Sequence, residues 1–257
     1  MELPRNPFTQ ALAAKDKQLG FWAGLCSPLA AEITAHAGFD WVVIDMEHAP
    51  NDYLTVLGQL QVFAATTTTA IVRPDWNDPV KVKRLMDLGA PGLLFPMVQS
   101  VAEAEKAVAA TRYPPRGIRG VAGAMRGSKY GRTTDYYSRI EDETTVLIQL
   151  ESRAALAQAT EIAAVDGVSG IFFGPADISA DMGLLGQPLH DDVWAEIRPV
   201  AQRLIDMGMP VGTVVTDPDM AAELLDFGFT FVAIGVDTST LARATDAVLA
   251  QVKDKMA

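Results

Sequence analysis

Four short stretches of the chain carry side chains suited to catalysis: Ile44-Asp45-Met46-Glu47-His48, Val72-Arg73-Pro74, Gln149-Leu150-Glu151 and Gly174-Pro175-Ala176-Asp177. Glu151 and Asp177 offer carboxylate oxygens, the ligand type preferred by Mg²⁺ or Mn²⁺, and two carboxylates leave coordination positions for water and substrate. The structural alternative is that Glu151 pairs with an arginine and Asp177 caps a helix. His48 follows Asp45 by three residues, a spacing at which the carboxylate can hold the imidazole in one tautomer and raise its basicity, forming a general-base dyad. Equally, His48 could merely open the next helix. Arg73 precedes Pro74, which keeps it extended, and its guanidinium suits an enolate or carboxylate oxygen. An internal ion pair with Asp45 or Glu47 is its other reading. Trp22 and Thr213 fit either a pocket wall or the core, while His36 and His190 lie in a helix and a loop with no chemistry beside them.

These residues share a place in the pattern of elements. Short β-branched or aromatic runs predict strands at Gly20–Leu25, Trp41–Asp45, Ala70–Arg73, Gly92–Pro96, Val146–Glu151, Gly170–Gly174, Val211–Val214 and Phe231–Gly235. Helical spacing follows each, at about Pro28–Ala37, Tyr53–Ala64, Pro79–Leu88, Val101–Ala110, Ala154–Ala164, Trp194–Met207, Pro218–Asp226 and Leu241–Lys255. Several helices run into a glycine, namely Gly38, Gly89, Gly208 and Gly228, that can adopt the left-handed stop conformation. Alternation of this kind with apolar strands predicts a (β/α)₈ TIM barrel, with an open doubly wound sheet as the alternative. In a barrel the chemistry sits at the C-terminal strand ends, which is where all four stretches fall. Residues 1–257 are expected to form one domain. Thr111–Glu143 is too long for a simple connection and reads as a functional excursion or a subunit contact, and Asp181–Asp192 is a second, shorter excursion.

Composition narrows the function further. With 49% hydrophobic and 21% charged residues, the 257-residue chain can bury a large core. A net charge of −11 repels nucleic acids and anionic membranes, so neither is an expected partner. An anionic substrate must then be held by specific arginines or a bound cation. Cys26 is the only cysteine, which excludes an intrachain disulfide and fits a reducing cytoplasm. The N-terminal residues lack an apolar export signal, and no apolar run is long enough to span a bilayer. No lysine ends a predicted strand, so a Schiff-base nucleophile is missing. Neither a strand–GxGxxG–helix fingerprint nor a glycine-rich phosphate cradle is present.

The motifs Ile44-Asp45-Met46-Glu47-His48-Ala49-Pro50, Arg73-Pro74, Asn77-Asp78-Pro79, Gln149-Leu150-Glu151 and Phe173-Gly174-Pro175-Ala176-Asp177-Ile178-Ser179 occur in this order. In them the chain resembles the class II, metal-dependent pyruvate aldolases of the 4-hydroxy-2-oxoheptanedioate (hydroxy-ketoacid) type, over nearly its whole length. The resemblance implies a barrel of the phosphoenolpyruvate/pyruvate-binding type and cleavage or formation of 4-hydroxy-2-oxo acids from pyruvate and an aldehyde. It also implies a divalent metal on Glu151 and Asp177, Mg²⁺ or Mn²⁺ first and Co²⁺ or Zn²⁺ next, base function from His48 with Asp45, and Arg73 against the keto or enolate oxygen. Gln149 would line the same site, and the N–H groups around Gly174 and Ala176 are expected to receive the substrate carboxylate. The family is typically hexameric, with the last helix exchanged between neighbours and Asp87 near the subunit boundary. Lys129 and Tyr130 depart from the Arg and Trp usual among relatives, which leaves the aldehyde open. Two rival readings are an acyl-CoA lyase of the citrate/malyl-CoA lyase type, whose CoA phosphates would need Arg112, Arg116, Arg119, Arg126 and Lys129, and a non-catalytic 2-oxo-acid-binding barrel.

Overall fold

Apolar runs separated by amphipathic segments close on themselves. The computed structural model describes residues 1–256, in which eight parallel strands pair in sequence order: β1 (Gln18–Ala23), β2 (Trp41–Asp45), β3 (Thr69–Arg73), β4 (Gly92–Phe95), β5 (Thr145–Leu150), β6 (Gly170–Phe173), β7 (Val211–Val214) and β8 (Phe231–Val236). Pairing of β8 with β1 completes the barrel, so the open-sheet alternative falls. Every residue of β2, β3 and β5 is buried, as follows when one strand face fills the barrel and the other lies under helices. Trp22, Trp41, Phe172 and Phe231 belong to the cluster inside the barrel. Glycine makes room for such large side chains: a Cβ on Gly20 would lie 2.2 Å from the Trp41 ring, and one on Gly212 2.3 Å from Phe231.

The helices are α1 (Pro7–Ala14), α2 (Pro28–Ala35), α3 (Tyr53–Phe63), α4 (Pro79–Asp87), α5 (Val101–Thr111), α6 (Tyr136–Arg139), α7 (Arg153–Ala157), α8 (Ala159–Ala163), α9 (Pro175–Asp181), α10 (Asp191–Asp206), α11 (Pro218–Phe227) and α12 (Asp237–Met256). The four glycines expected to stop helices all have positive φ, between 82° and 125°. Other expectations need correction. The helix predicted over Ala154–Ala164 is two, α7 and α8, because Gln158 leaves the helical region at φ −108°, ψ 11°. Helix α10 starts three residues before Trp194, where His190 caps it by accepting the Asp192 N–H at 3.2 Å. The second excursion keeps only its two ends in helix: α9 finishes at Asp181 and α10 begins at Asp191.

Helix α1 was not anticipated, and it closes the N-terminal end of the barrel. The Asn6 side chain accepts the N–H groups of Phe8 and Thr9 at 3.1 and 3.3 Å. Its Nδ2 donates to Pro91 O and Glu143 O at 3.0 Å and to Thr145 Oγ1 at 3.1 Å, tying the plug to the beginnings of β4 and β5. Phe8 then packs on Trp41 with ring centroids 5.4 Å apart.

The Thr111–Glu143 excursion joins α5 to β5 and therefore lies at this same closed end, away from the strand ends that carry chemistry. Leu3 donates its N–H to Asp135 at 2.7 Å, and Arg126 donates to Leu88 O, just past α4, at 2.6 Å. Arg119 is fully buried, with its guanidinium 2.9 Å from Asp87 and stacked 4.6 Å over Tyr113. Of the arginines that a CoA groove would need, Arg112 pairs with Asp166 at 2.8 Å and Arg116 with Glu141 at 2.7 Å. Among the described residues no helix is long and apolar enough to cross a membrane.

Candidate active site

Strand register brings the polar residues together. Asp45 stands opposite Arg73 across β2 and β3, and Arg73 Nε and Nη2 each donate to an Asp45 carboxylate oxygen at 2.8 Å. The third nitrogen, Nη1, lies 2.8 Å from Glu47 Oε2. Trp22 lies beneath, its ring 4.8 Å from the guanidinium carbon, so it contacts the site and packs into the core at once. Burial pushes the Asp45 carboxyl up, but the hydrogen bonds and charge of Arg73 outweigh it and hold the group below its ordinary value.

The arrangement around His48 differs from the expected dyad. Asp45 spends both oxygens on Arg73, and its Oδ1 also accepts the backbone N–H groups of Glu47 and His48 at 3.0 and 3.5 Å. The carboxylate beside the imidazole is instead Glu47, with Oε2 3.8 Å from His48 Nε2. Asp45 therefore sets the turn that presents His48, and Glu47 is the acidic neighbour. The sequence offers Glu47 only as an ion-pair partner of Arg73, an alternative the structure realises with Asp45 and Glu47 together, and not as the neighbour of His48. The His48 side chain is 65% exposed and so open to the mouth.

Glu151 and Gly174 each follow directly on a register pair, Leu150 with Phe173, at the ends of β5 and β6. Glu151 is 3% exposed and is held by neutral donors: Met97 N–H to Oε2 at 2.6 Å and Gln149 Nε2 to Oε1 at 2.7 Å. The expected alternative of an arginine partner is thus not realised. Burial pushes the Glu151 carboxyl up to about 8; the Met97 N–H opposes this, and the nearby charges of Glu47 and Asp177 add to it. Burial also raises Glu47, against the pull of Arg73. Asp177 stands in the first turn of α9, which has no side-chain cap, so helix capping does not account for it.

A divalent cation fits these residues. Carboxylates crowded into a buried corner repel one another, and a cation between Glu151 and Asp177 removes that repulsion. Space is kept by Gly174, where a Cβ would meet Glu151 Cγ at 2.8 Å, Glu151 Oε1 at 3.0 Å and Gln149 Nε2 at 3.2 Å. Gln149 Oε1 is buried without a hydrogen-bond partner, an acceptor facing the same corner. Among the described residues no group of three or more His, Cys, Asp or Glu side chains could hold a metal. Two carboxylates with open positions are what a catalytic site needs and a closed structural site avoids.

The remaining predicted residues divide. Gly174 does not offer its N–H to a substrate, since it donates to Leu150 O at 3.0 Å; its contribution is space. Ala176, exposed in the first turn of α9, has an N–H with no carbonyl in its own helix. Thr213 is fully buried and donates its hydroxyl to Phe173 O at 2.9 Å, so it packs the core. Asp87 lies at the other end, paired with Arg119.

Comparison with known proteins finds relatives that match nearly the whole chain. The chain is 49% identical to a 4-hydroxy-2-oxo-heptane-1,7-dioate aldolase of Klebsiella pneumoniae subsp. pneumoniae over 247 residues, covering 96% of this chain and 93% of the relative. It is 48% identical to the Escherichia coli protein of that name, covering 96% and 94%. A crystal structure of an HpcH/HpaI aldolase/citrate lyase family protein from Burkholderia cenocepacia superposes with a TM-score of 0.93 at 37% identity, covering 96% of this chain and 99% of that one. With residues 18–244 matching the HpcH/HpaI aldolase/citrate lyase family model, from the start of β1 into α12, the chain belongs to that family.

Proposed function

We propose that the chain is a divalent-metal-dependent aldolase, a carbon–carbon lyase that cleaves and forms 4-hydroxy-2-oxo acids, with pyruvate and an aldehyde as its small-molecule partners. The observation that carries this reading is the buried Glu151 carboxylate, crowded by Asp177 and Glu47 and lacking any cationic side-chain partner, beside a guanidinium held at three nitrogens. Glu151 and Asp177 would hold the cation, Mg²⁺ or Mn²⁺ by ligand type. Bound there, it would polarise the keto group of a 2-oxo acid and stabilise the negative charge formed on cleavage.

The chain's own residues do the rest. His48, open to the mouth, takes the proton of the 4-hydroxyl group in the cleavage direction. The C3–C4 bond breaks, the aldehyde departs, and the electron pair remains on pyruvate as its enolate, which is then protonated at C3. Arg73 places positive charge where that negative charge grows. Ala176 N–H receives the substrate carboxylate at the start of α9, and Gln149 and Trp22 line the same corner. Glu47 puts negative charge beside the imidazole without bonding it, and Asp45 holds both Arg73 and the turn before His48. The arginines that a CoA thioester would require lie at the closed end of the barrel or in ion pairs, which favours an unactivated oxo acid.

The same reading extends to assembly and place. From Leu241 to Met256 every side chain of α12 is exposed, including Leu241, Val248, Leu249 and Val252. A helix that exposes apolar residues and stands free of its own barrel over most of its length is marginal in water; it suits exchange onto a neighbouring copy in a homo-oligomer, a hexamer by family resemblance, with Asp87 near the boundary. Residues 1–257 act as one domain, and the lone thiol Cys26 suits the cytoplasm. The test is pyruvate release from 4-hydroxy-2-oxo acids and from an acyl-CoA substrate, with and without EDTA. Glu151→Ala and Asp177→Ala are each expected to abolish metal-dependent turnover while keeping the native circular dichroism; full activity of either variant in metal-stripped buffer refutes the site.

A further inference from the structure

Met97 follows β4 and is one of five non-glycine residues with positive φ among the described residues, at 53°. Side chains larger than glycine resist this region, and β-branched ones resist it most. Its backbone N–H is the donor on Glu151 Oε2 at 2.6 Å, while its side chain is only half-buried. Gln149 holds the other oxygen at 2.7 Å, so each oxygen keeps a lone pair and the carboxylate plane is set from both sides. The left-handed turn lets the chain swing away toward α5, which begins at Val101, while the amide stays on Glu151.

We propose that Met97 is a positioning residue for cation binding: its left-handed backbone aims the N–H that presents Glu151 in one orientation. This rests on the reading of Glu151 and Asp177 as ligands. Partners that orient a ligating carboxylate commonly govern metal affinity by about 10- to 100-fold. The role belongs to the backbone, so it separates cleanly from any role of the thioether. Glycine keeps the N–H and accepts the conformation; valine or threonine keeps the N–H but disfavours the conformation, so the amide is displaced.

The experiment is Mn²⁺ titration of the full chain by calorimetry, with thermal melting of each metal-free variant. Met97→Val is expected to raise the Mn²⁺ Kd by about 10- to 100-fold, and Met97→Gly to bind like the parent. Met97→Thr, which suits a half-exposed position, makes the same comparison should the valine variant fold poorly. Val and Thr variants that bind Mn²⁺ as tightly as the parent overturn the proposal. So does a glycine variant as weak as they are, which would assign the effect to the side chain. If the parent itself binds no Mn²⁺, the reading of Glu151 and Asp177 as ligands fails and takes this inference with it, an outcome distinct from the other two.

Discussion

Burial first, and the charges of Glu47 and Asp177 next, lift the Glu151 carboxyl from an ordinary 4.5 to about 8. A carboxyl raised on folding binds its proton more tightly in the native chain than in the unfolded one, so stability falls with pH wherever the unfolded chain has already released that proton. Its contribution in the cation-free protein is therefore full below about 4.5 and lost as pH rises through about 8. Melting temperatures in EDTA should decline from pH 5 to pH 8 more steeply for the parent than for Glu151→Gln, and Mn²⁺ should remove the difference. Equal slopes for the two metal-free proteins would show that Glu151 is not raised. At this scale residue type and spacing are enough to put Glu151, Asp177, Arg73 and His48 at or just beyond strand ends, where the structure has them. They are silent on Met97, whose part is played by an amide common to almost every residue, and misleading on which carboxylate lies beside the imidazole, because Arg73 takes both Asp45 oxygens.

Among the elements, the strands were the most legible, since runs such as Trp41–Asp45 and Val211–Val214 are apolar on both faces and bounded by turn residues. Helix α1 was the clearest omission. Asn6 followed by Pro7 is a start signal, an N-cap before a proline in the first turn, but α1 precedes the first strand and so falls outside the strand–helix alternation that reveals α2, a helix of the same eight residues. The split between α7 and α8 left no mark either, for Ala154–Ala164 keeps good helix formers throughout and only packing bends it. The plug bears on stability and not on chemistry. Asn6→Ala removes a cap and leaves the carbonyls of Pro91 and Glu143 short of a donor, at a cost of about 2 kcal/mol. Denaturant unfolding should show that loss while the Mn²⁺ affinity stays at the parent value; a matching fall in affinity would mean that the two barrel ends are coupled.

For the molecule as a whole, the two ends of the barrel do different work. The candidate site gathers where β2, β3, β5 and β6 finish, while α1 and the Thr111–Glu143 excursion cover the other end. Helix α12 belongs to neither, and its exposed apolar residues are the basis for proposing that copies join through it. Removing residues 241–256 should lower the assembly state measured by light scattering on a sizing column; an unchanged mass would show that other surfaces hold the copies together. Because the excursion departs from α5 and re-enters at β5, it stands at the opposite end of the barrel from the candidate site. Substitutions in it are therefore expected to be felt first as lost stability, with turnover by the folded chain kept.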